Sequence, residues 1–244
     1  MYCAKNITHT VKQGDTIYRI AKMHDTTVPD ILIRNPGVNP YNLQVGNELL
    51  VCEADETGNS QGDNMELNQD IRLAWEQLAY WTRMYLLANK DNQEEVNSSA
   101  ERLRQIPAVM ADIFEQYYPA DVTTQLQQSL TSFVENTITL INAVKNSERE
   151  TTDATEVKLE QDVSNLAEIL SNMNINYDKN ALETELGEFL VLTKREIVSR
   201  VSGQYADDIE TFDNLEQQAM KIAEYLSSGI MRQYNRNQNE SNQS

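Results

Sequence analysis

HTVKQGDTIYRIAKMHDTTVPDILIRNPGVNPYNLQVGNELLV, residues 9–51, reads as two short strands enclosing two short helices. Thr8 to Lys12 alternates as a strand. Gly14 permits a tight turn, and Asp15 or Thr16 accepts hydrogen bonds from the free N–H groups that open a helix with Ile17, Ile20 and Ala21 on one face. A second helix starts near Val28, tolerates Pro29 in its first turn, turns Ile31, Leu32 and Val28 inward and stops at Asn35-Pro36. Gly46 then turns the chain into a second strand, Glu48 to Cys52. Antiparallel pairing of the two strands closes a βααβ unit of roughly 45 residues.

The rest of the 244-residue chain is composed differently. Residues 1–52 carry five basic side chains against four acidic, a net of +1, whereas the remaining 192 hold fifteen against thirty-four, a net of −19. Both histidines, His9 and His24, lie in the first part, and no proline follows Pro119. Turn-rich sequence gives way to helix-rich sequence. Between them Glu53 to Glu66 is polar and acidic, which predicts a flexible linker over 53–66. The domains so expected are 1–52, a helical unit over 67–235, and a disordered tail over 236–244 that has no apolar residue to bury.

Composition also excludes partners. A net charge of −18 repels a phosphate backbone, so no nucleic-acid binding is expected. No stretch approaches the ~20 consecutive apolar residues of a membrane span. The residues after Met1 show neither a basic start nor an apolar h-region, so no signal peptide is expected.

Residues TVKQGDTIYRIAK and NPGVNPYNLQVGNELLV resemble a LysM domain over its whole length. The resemblance implies binding of N-acetylglucosamine-containing polysaccharide, such as peptidoglycan or chitin, in a shallow groove between two loops. Here those loops are Gly14, Asp15, Thr16 and Ile17, and Asn39, Pro40, Tyr41, Asn42 and Leu43. Gly14, Asp15 and Gly46 are equally what the backbone demands for turns and capping. Tyr41 and Asn42 have no core duty, and a loop aromatic or amide can meet a sugar's apolar face or N-acetyl group. Packing of Tyr41 on Pro40 is the competing reading.

Cys3 and Cys52 sit just outside the two paired strands, so a disulfide between them is geometrically allowed; two reduced thiols are the alternative. The flanking pattern also resembles LysM repeats of spore-associated proteins, in which one cysteine precedes the first strand and another follows the last. With both cysteines in one small unit, no metal site and no cofactor is expected.

Beyond residue 66, apolar residues recur at helical spacing: Leu67, Ile71, Trp75, Leu78, Trp81 and Tyr85; Ala108 to Tyr117 after Pro107; and Val122, Leu126, Leu130, Phe133, Thr137, Leu140, Ile141 and Val144 after Pro119. A polar linker over 146–156 is expected to divide the unit. Helices over Leu159–Met173, Lys179–Val201 and Tyr205 to about Tyr234 follow. The fold class is therefore a small α+β LysM domain plus an all-α antiparallel helical bundle. A shift of 56 residues aligns Leu126 with Leu182, Phe133 with Phe189 and Thr137 with Thr193, the pattern of a duplicated helix pair.

AWEQLAYWTRM (74–84) and GQYADDIETFDNLEQQAMKIAEYLSSGIMRQY (203–234) resemble a family of largely uncharacterised bacterial all-helical proteins. Members often place histidines between the two tryptophans and at the positions held here by Phe133 and Phe189. This chain has Leu78, Phe133 and Phe189, which implies core packing and a scaffold. The bundle holds no histidine or cysteine, so imidazole base chemistry and thiol nucleophiles are absent from it. Its carboxylates, among them Glu160, Glu168, Glu183, Glu185, Glu188, Asp207, Asp208, Glu210 and Glu216, are expected mainly on solvated faces. Arg83 is a candidate buried counter-charge for one of them.

These readings predict a non-catalytic, wall-associated protein that binds glycan through LysM, its acidic bundle serving as scaffold or protein-binding module. The spore-like flanks and the absent leader imply deposition in a spore envelope. The alternative is a LysM used for assembly in a coat or phage-like particle without sugar.

Overall fold

The computed structural model describes residues 3–24, 26, 28–40, 43–54, 60–88 and 92–241. The N-terminal unit runs β1 (Cys3–Thr10), α1 (Ile17–Met23), α2 (Val28–Arg34) and β2 (Glu48–Ala54). The strands pair antiparallel, with Ile7 opposite Val51 and His9 opposite Leu49. Both strands are longer than the sequence pattern suggested, and β1 begins and ends earlier, at Thr10 rather than Lys12. Residues alternate across the ribbon, so Leu49 and Val51 are buried while Leu50 is exposed. Ile17, Ile20 and Ile31 are completely buried against that face, and Val28 joins them.

Side-chain hydrogen bonds complete this small core. The Asn35 carboxamide donates to Ile31 O at 2.6 Å and Leu50 O at 2.8 Å and accepts from Leu50 N at 2.8 Å. It thereby ends α2 and satisfies backbone groups of β2 that lack a second strand. Gly46, at φ 91°, donates its N–H to Val11 O at 2.8 Å and tightens the entry to β2.

Among the described residues seven helices follow: α3 (Ser60–Leu87), α4 (Gln93–Arg104), α5 (Ile106–Glu115), α6 (Ala120–Lys145), α7 (Arg149–Met173), α8 (Lys179–Val201) and α9 (Tyr205–Ser241). Short turns at 146–148, 174–178 and 202–204 fold successive helices back on one another, and α3 packs along α9 while touching α4, α5 and α6. One apolar cluster runs from Val11 in the N-terminal unit through to Ile230 in α9.

Three expectations are corrected by these bounds. The flexible linker over 53–66 is strand through Ala54 and helix from Ser60, with 55–59 outside the described residues. The polar linker over 146–156 shrinks to a three-residue turn, and the tail over 236–244 is helix as far as Ser241. In each place a buried neighbouring turn nucleates a helix that polar residues extend at little cost. Helix α4 went unanticipated altogether, and α5 begins at Ile106, two residues before the expected start.

Leu78, Phe133 and Phe189 are all buried. The edge of Trp75 meets the Phe189 ring at 5.5 Å and 82°, and the Phe133 and Phe189 centroids lie 6.4 Å apart. Two pairs of positions separated by 56 residues thus touch: Phe133 with Phe189, and Tyr118 with Asn174, whose Nδ2 donates to the phenol oxygen at 2.7 Å. Contact between equivalent positions is what a local two-fold relation between α5–α6 and α7–α8 produces.

Candidate functional site

The loop between β1 and α1 is anchored at each residue. Gly14 is exposed at φ 89°, a conformation that an L side chain strains to adopt. Asp15 Oδ2 accepts from His9 Nε2 and from Lys12 N, each at 2.8 Å. His9 is itself buried and its Nδ1 lies 3.0 Å from His24 Nε2. Burial alone would raise the Asp15 pKa; the His9 and Lys12 hydrogen bonds and both positive charges hold it below the ordinary carboxylate range. Thr16 Oγ1 accepts from Arg19 N at 3.2 Å and caps α1.

The second loop of the groove runs from Asn39 to Leu43. Asn39 is exposed, Pro40 half-buried, and Leu43 packs on the core. Tyr41 and Asn42 lie outside the described residues. Ile17 is completely buried, so its side chain belongs to the core and not to the surface of the loop. The candidates therefore divide: Gly14, Asn39 and Pro40 reach solvent, Asp15 and Thr16 hold the first loop in shape, and Ile17 and Leu43 support it from the core.

This order of strands, helices and turns is also the extent of a family match, since the LysM domain matches residues 9–51. Residues 9–51 are a LysM domain. LysM is a binding module for peptidoglycan and related N-acetylglucosamine glycans, and carries no catalytic machinery. The match stops at Val51, and the remaining chain is a helical bundle packed against it. Comparison of the chain with curated proteins and with solved structures returns no match.

Cys52, next to the LysM domain, is disulfide-bonded. The chain's other cysteine, Cys3, begins β1, and its side chain lies outside the described residues.

Within the bundle the charged residues fall differently from expectation. Asp208, one of the carboxylates expected mainly on solvated faces, is completely buried, as is Glu196. Arg83 Nη1 donates to Glu196 Oε1 at 2.5 Å and to Asp208 Oδ1 at 2.9 Å, while the guanidinium lies 4.5 Å from the Phe212 ring centre. Arg200 Nη1 approaches Asp208 Oδ2 at 3.5 Å. Two carboxylates between two guanidiniums form a neutralised knot joining α3, α8 and α9. Among the described residues no group of three or more His, Cys, Asp or Glu is arranged to hold a metal. No helix among them is long and apolar enough to cross a membrane.

Proposed function

We propose that this chain is a non-catalytic, wall-associated protein that grips N-acetylglucosamine-containing glycan, peptidoglycan foremost, in the groove between loops 14–17 and 39–43. The observation that carries this reading is the LysM match over residues 9–51, with Gly14 and Asn39 exposed on the two loops. Tyr41 and Asn42 supply the aromatic face and the amide that a sugar ring and its N-acetyl group call for. The acidic bundle serves as a scaffold or as the docking partner of another protein, and the cysteine pattern flanking LysM supports deposition in a spore envelope.

A single shallow groove binds modestly, so firm retention on a wall requires several copies held together. Sedimentation of the full chain with purified peptidoglycan tests the reading. The chain is expected in the pellet, with Tyr41→Ala shifting it toward the supernatant. If neither form pellets, the LysM domain is serving assembly, and crosslinking should then return a defined protein partner.

A further inference from the structure

Besides the shared apolar cluster, one cationic side chain of the LysM domain reaches carboxylates of the bundle. Arg19, on the first turn of α1, donates from Nη1 to Gly14 O at 3.3 Å. The same guanidinium places Nε 3.1 Å from Asp112 Oδ1 and Nη2 3.4 Å from Glu115 Oε2, both on α5 of the bundle. Thr16 Oγ1 accepts from the backbone N–H of the same Arg19 at 3.2 Å. Two residues of the first groove loop, Gly14 and Thr16, thus hydrogen-bond Arg19, and Arg19 is paired to α5.

A loop that binds a sugar with backbone and short side chains gains affinity when its shape is fixed beforehand, because less conformational entropy is lost on binding. Gly14 is the residue with the greatest freedom to lose. Asp112 is buried and Arg19 half-exposed, so the pair is shielded from solvent on the bundle side. Residues outside the LysM domain therefore hold one wall of its groove.

We propose that Asp112, acting through Arg19, is a positioning residue for glycan binding, so that the binding unit is the LysM domain together with α5. This rests on the glycan-binding reading above. Removing the carboxylate charge leaves every atom of the groove in place and frees the loop.

Titration of the full chain with an N-acetylglucosamine pentamer tests it. Arg19→Ala and Asp112→Asn are each expected to weaken binding about fivefold, the scale of one partly exposed ion pair. The double variant should be no weaker than the weaker single one, because both changes cut the same link. That non-additivity reports that the two side chains act through one link. The amide resonances of Gly14 and Thr16 should broaden or shift in both variants while those of α8 stay fixed. Wild-type affinity in both variants, tighter binding in either, or simple additivity overturns the inference and leaves the glycan reading standing. Failure of the wild-type chain to bind the pentamer or peptidoglycan overturns both. Should Asp112→Asn fail to fold, Arg19→Ala and Glu115→Gln, at half-exposed positions, carry the same comparison.

Discussion

Arg83 on α3 and Glu196 on α8 face each other with Nη1 and Oε1 2.5 Å apart, inside a bundle where Glu196 has no exposure at all. The same nitrogen also holds Asp208 on α9, so one guanidinium pins three helices. Its retention is a matter of register more than of net energy, because burying two carboxylates costs about as much as their pairing returns.

Removing the Arg83 cation alone strands Glu196 and leaves Asp208 with Arg200 as its remaining cation. Arg83→Met is expected to destabilise the chain by about 3–5 kcal/mol, the range for breaking a buried ion pair from one side. Urea unfolding followed by far-ultraviolet circular dichroism measures it. Replacing Arg83 together with Glu196 and Asp208 by apolar residues should recover a large part of the loss.

Burial pushes the Glu196 carboxyl up to about 7, with Asp208 adding repulsion and Arg83 opposing. Burial alone pushes Asp70 up to about 7. A group whose folded pKa is raised binds its proton more tightly in the folded state, so its contribution is complete below the unfolded value and is lost as pH rises through the folded one. Stability should therefore decline between about pH 4, where these carboxyls titrate in the unfolded chain, and about pH 7, by a few kcal/mol for each group on the scale of ~1.4 kcal/mol for each pKa unit. Asp70→Asn should flatten that decline and be more stable than the parent at pH 8. At the acid end Asp15, held low against its burial chiefly by the His9 hydrogen bond, and Asp207, held low by Arg195 and Ser199, act with the opposite sign. Their stabilisation is lost as pH falls below the ordinary carboxylate range, which places the optimum between the two windows. Melting temperatures across pH 3 to 9 for parent and Asp70→Asn check the sign.

The disulfide at Cys52 constrains the N-terminal unit. A small domain with few core residues depends on such a link, and removing one costs about 2–5 kcal/mol. Reduction with dithiothreitol should lower the first melting transition and leave the bundle transition unmoved, as read by scanning calorimetry. In denaturant without reductant, thiol titration should find no free sulfhydryl.

Legibility in the sequence followed the strength of the local signal. The βααβ unit was readable because Gly14, Asn35-Pro36 and Gly46 punctuate it, and in the bundle Lys179–Val201 was found to the residue because Asp178 caps one end and Ser202-Gly203 breaks the other. Helix α4 was missed because QEEVNSSAERLR offers only Val96, Ala100 and Leu103 as apolar marks; Asn92 as its cap and Glu94 and Glu95 in its first turn were the available signal. The groove loops are named by the resemblance to LysM alone, and the role of His9 in holding Asp15 was not readable at all, since a strand residue gives no hint of what lies beyond its own pair. Arg19 with Asp112 and Asp208 with Arg83 join residues about a hundred positions apart, and an acidic residue such as Asp208, beside the partly exposed Asp207 and the exposed Glu210, reads as solvated until tertiary packing buries it.

Two glycines in the bundle give a test whose sign comes from packing alone. In a helix interior, glycine to alanine is worth up to about 1 kcal/mol through backbone entropy. At Gly187 on α8 a new Cβ meets nothing within 4 Å, so Gly187→Ala should stabilise by roughly that amount. At Gly229 on α9 a Cβ would fall 2.0 Å from Tyr177 Cε1. The Tyr177 ring cannot step aside cheaply, because it is buried, stacks on Tyr225 with centroids 5.7 Å apart, and donates its hydroxyl to Leu226 O at 2.5 Å. Overpacking of this kind costs about 1–3 kcal/mol, which outweighs the entropy gain, so Gly229→Ala should destabilise. Opposite shifts in urea midpoint for the two variants are the expected result. A stabilised Gly229→Ala would mean that the 174–178 turn, which carries Tyr177, yields far more easily than its hydrogen bonds to Tyr118 and Gly229 suggest.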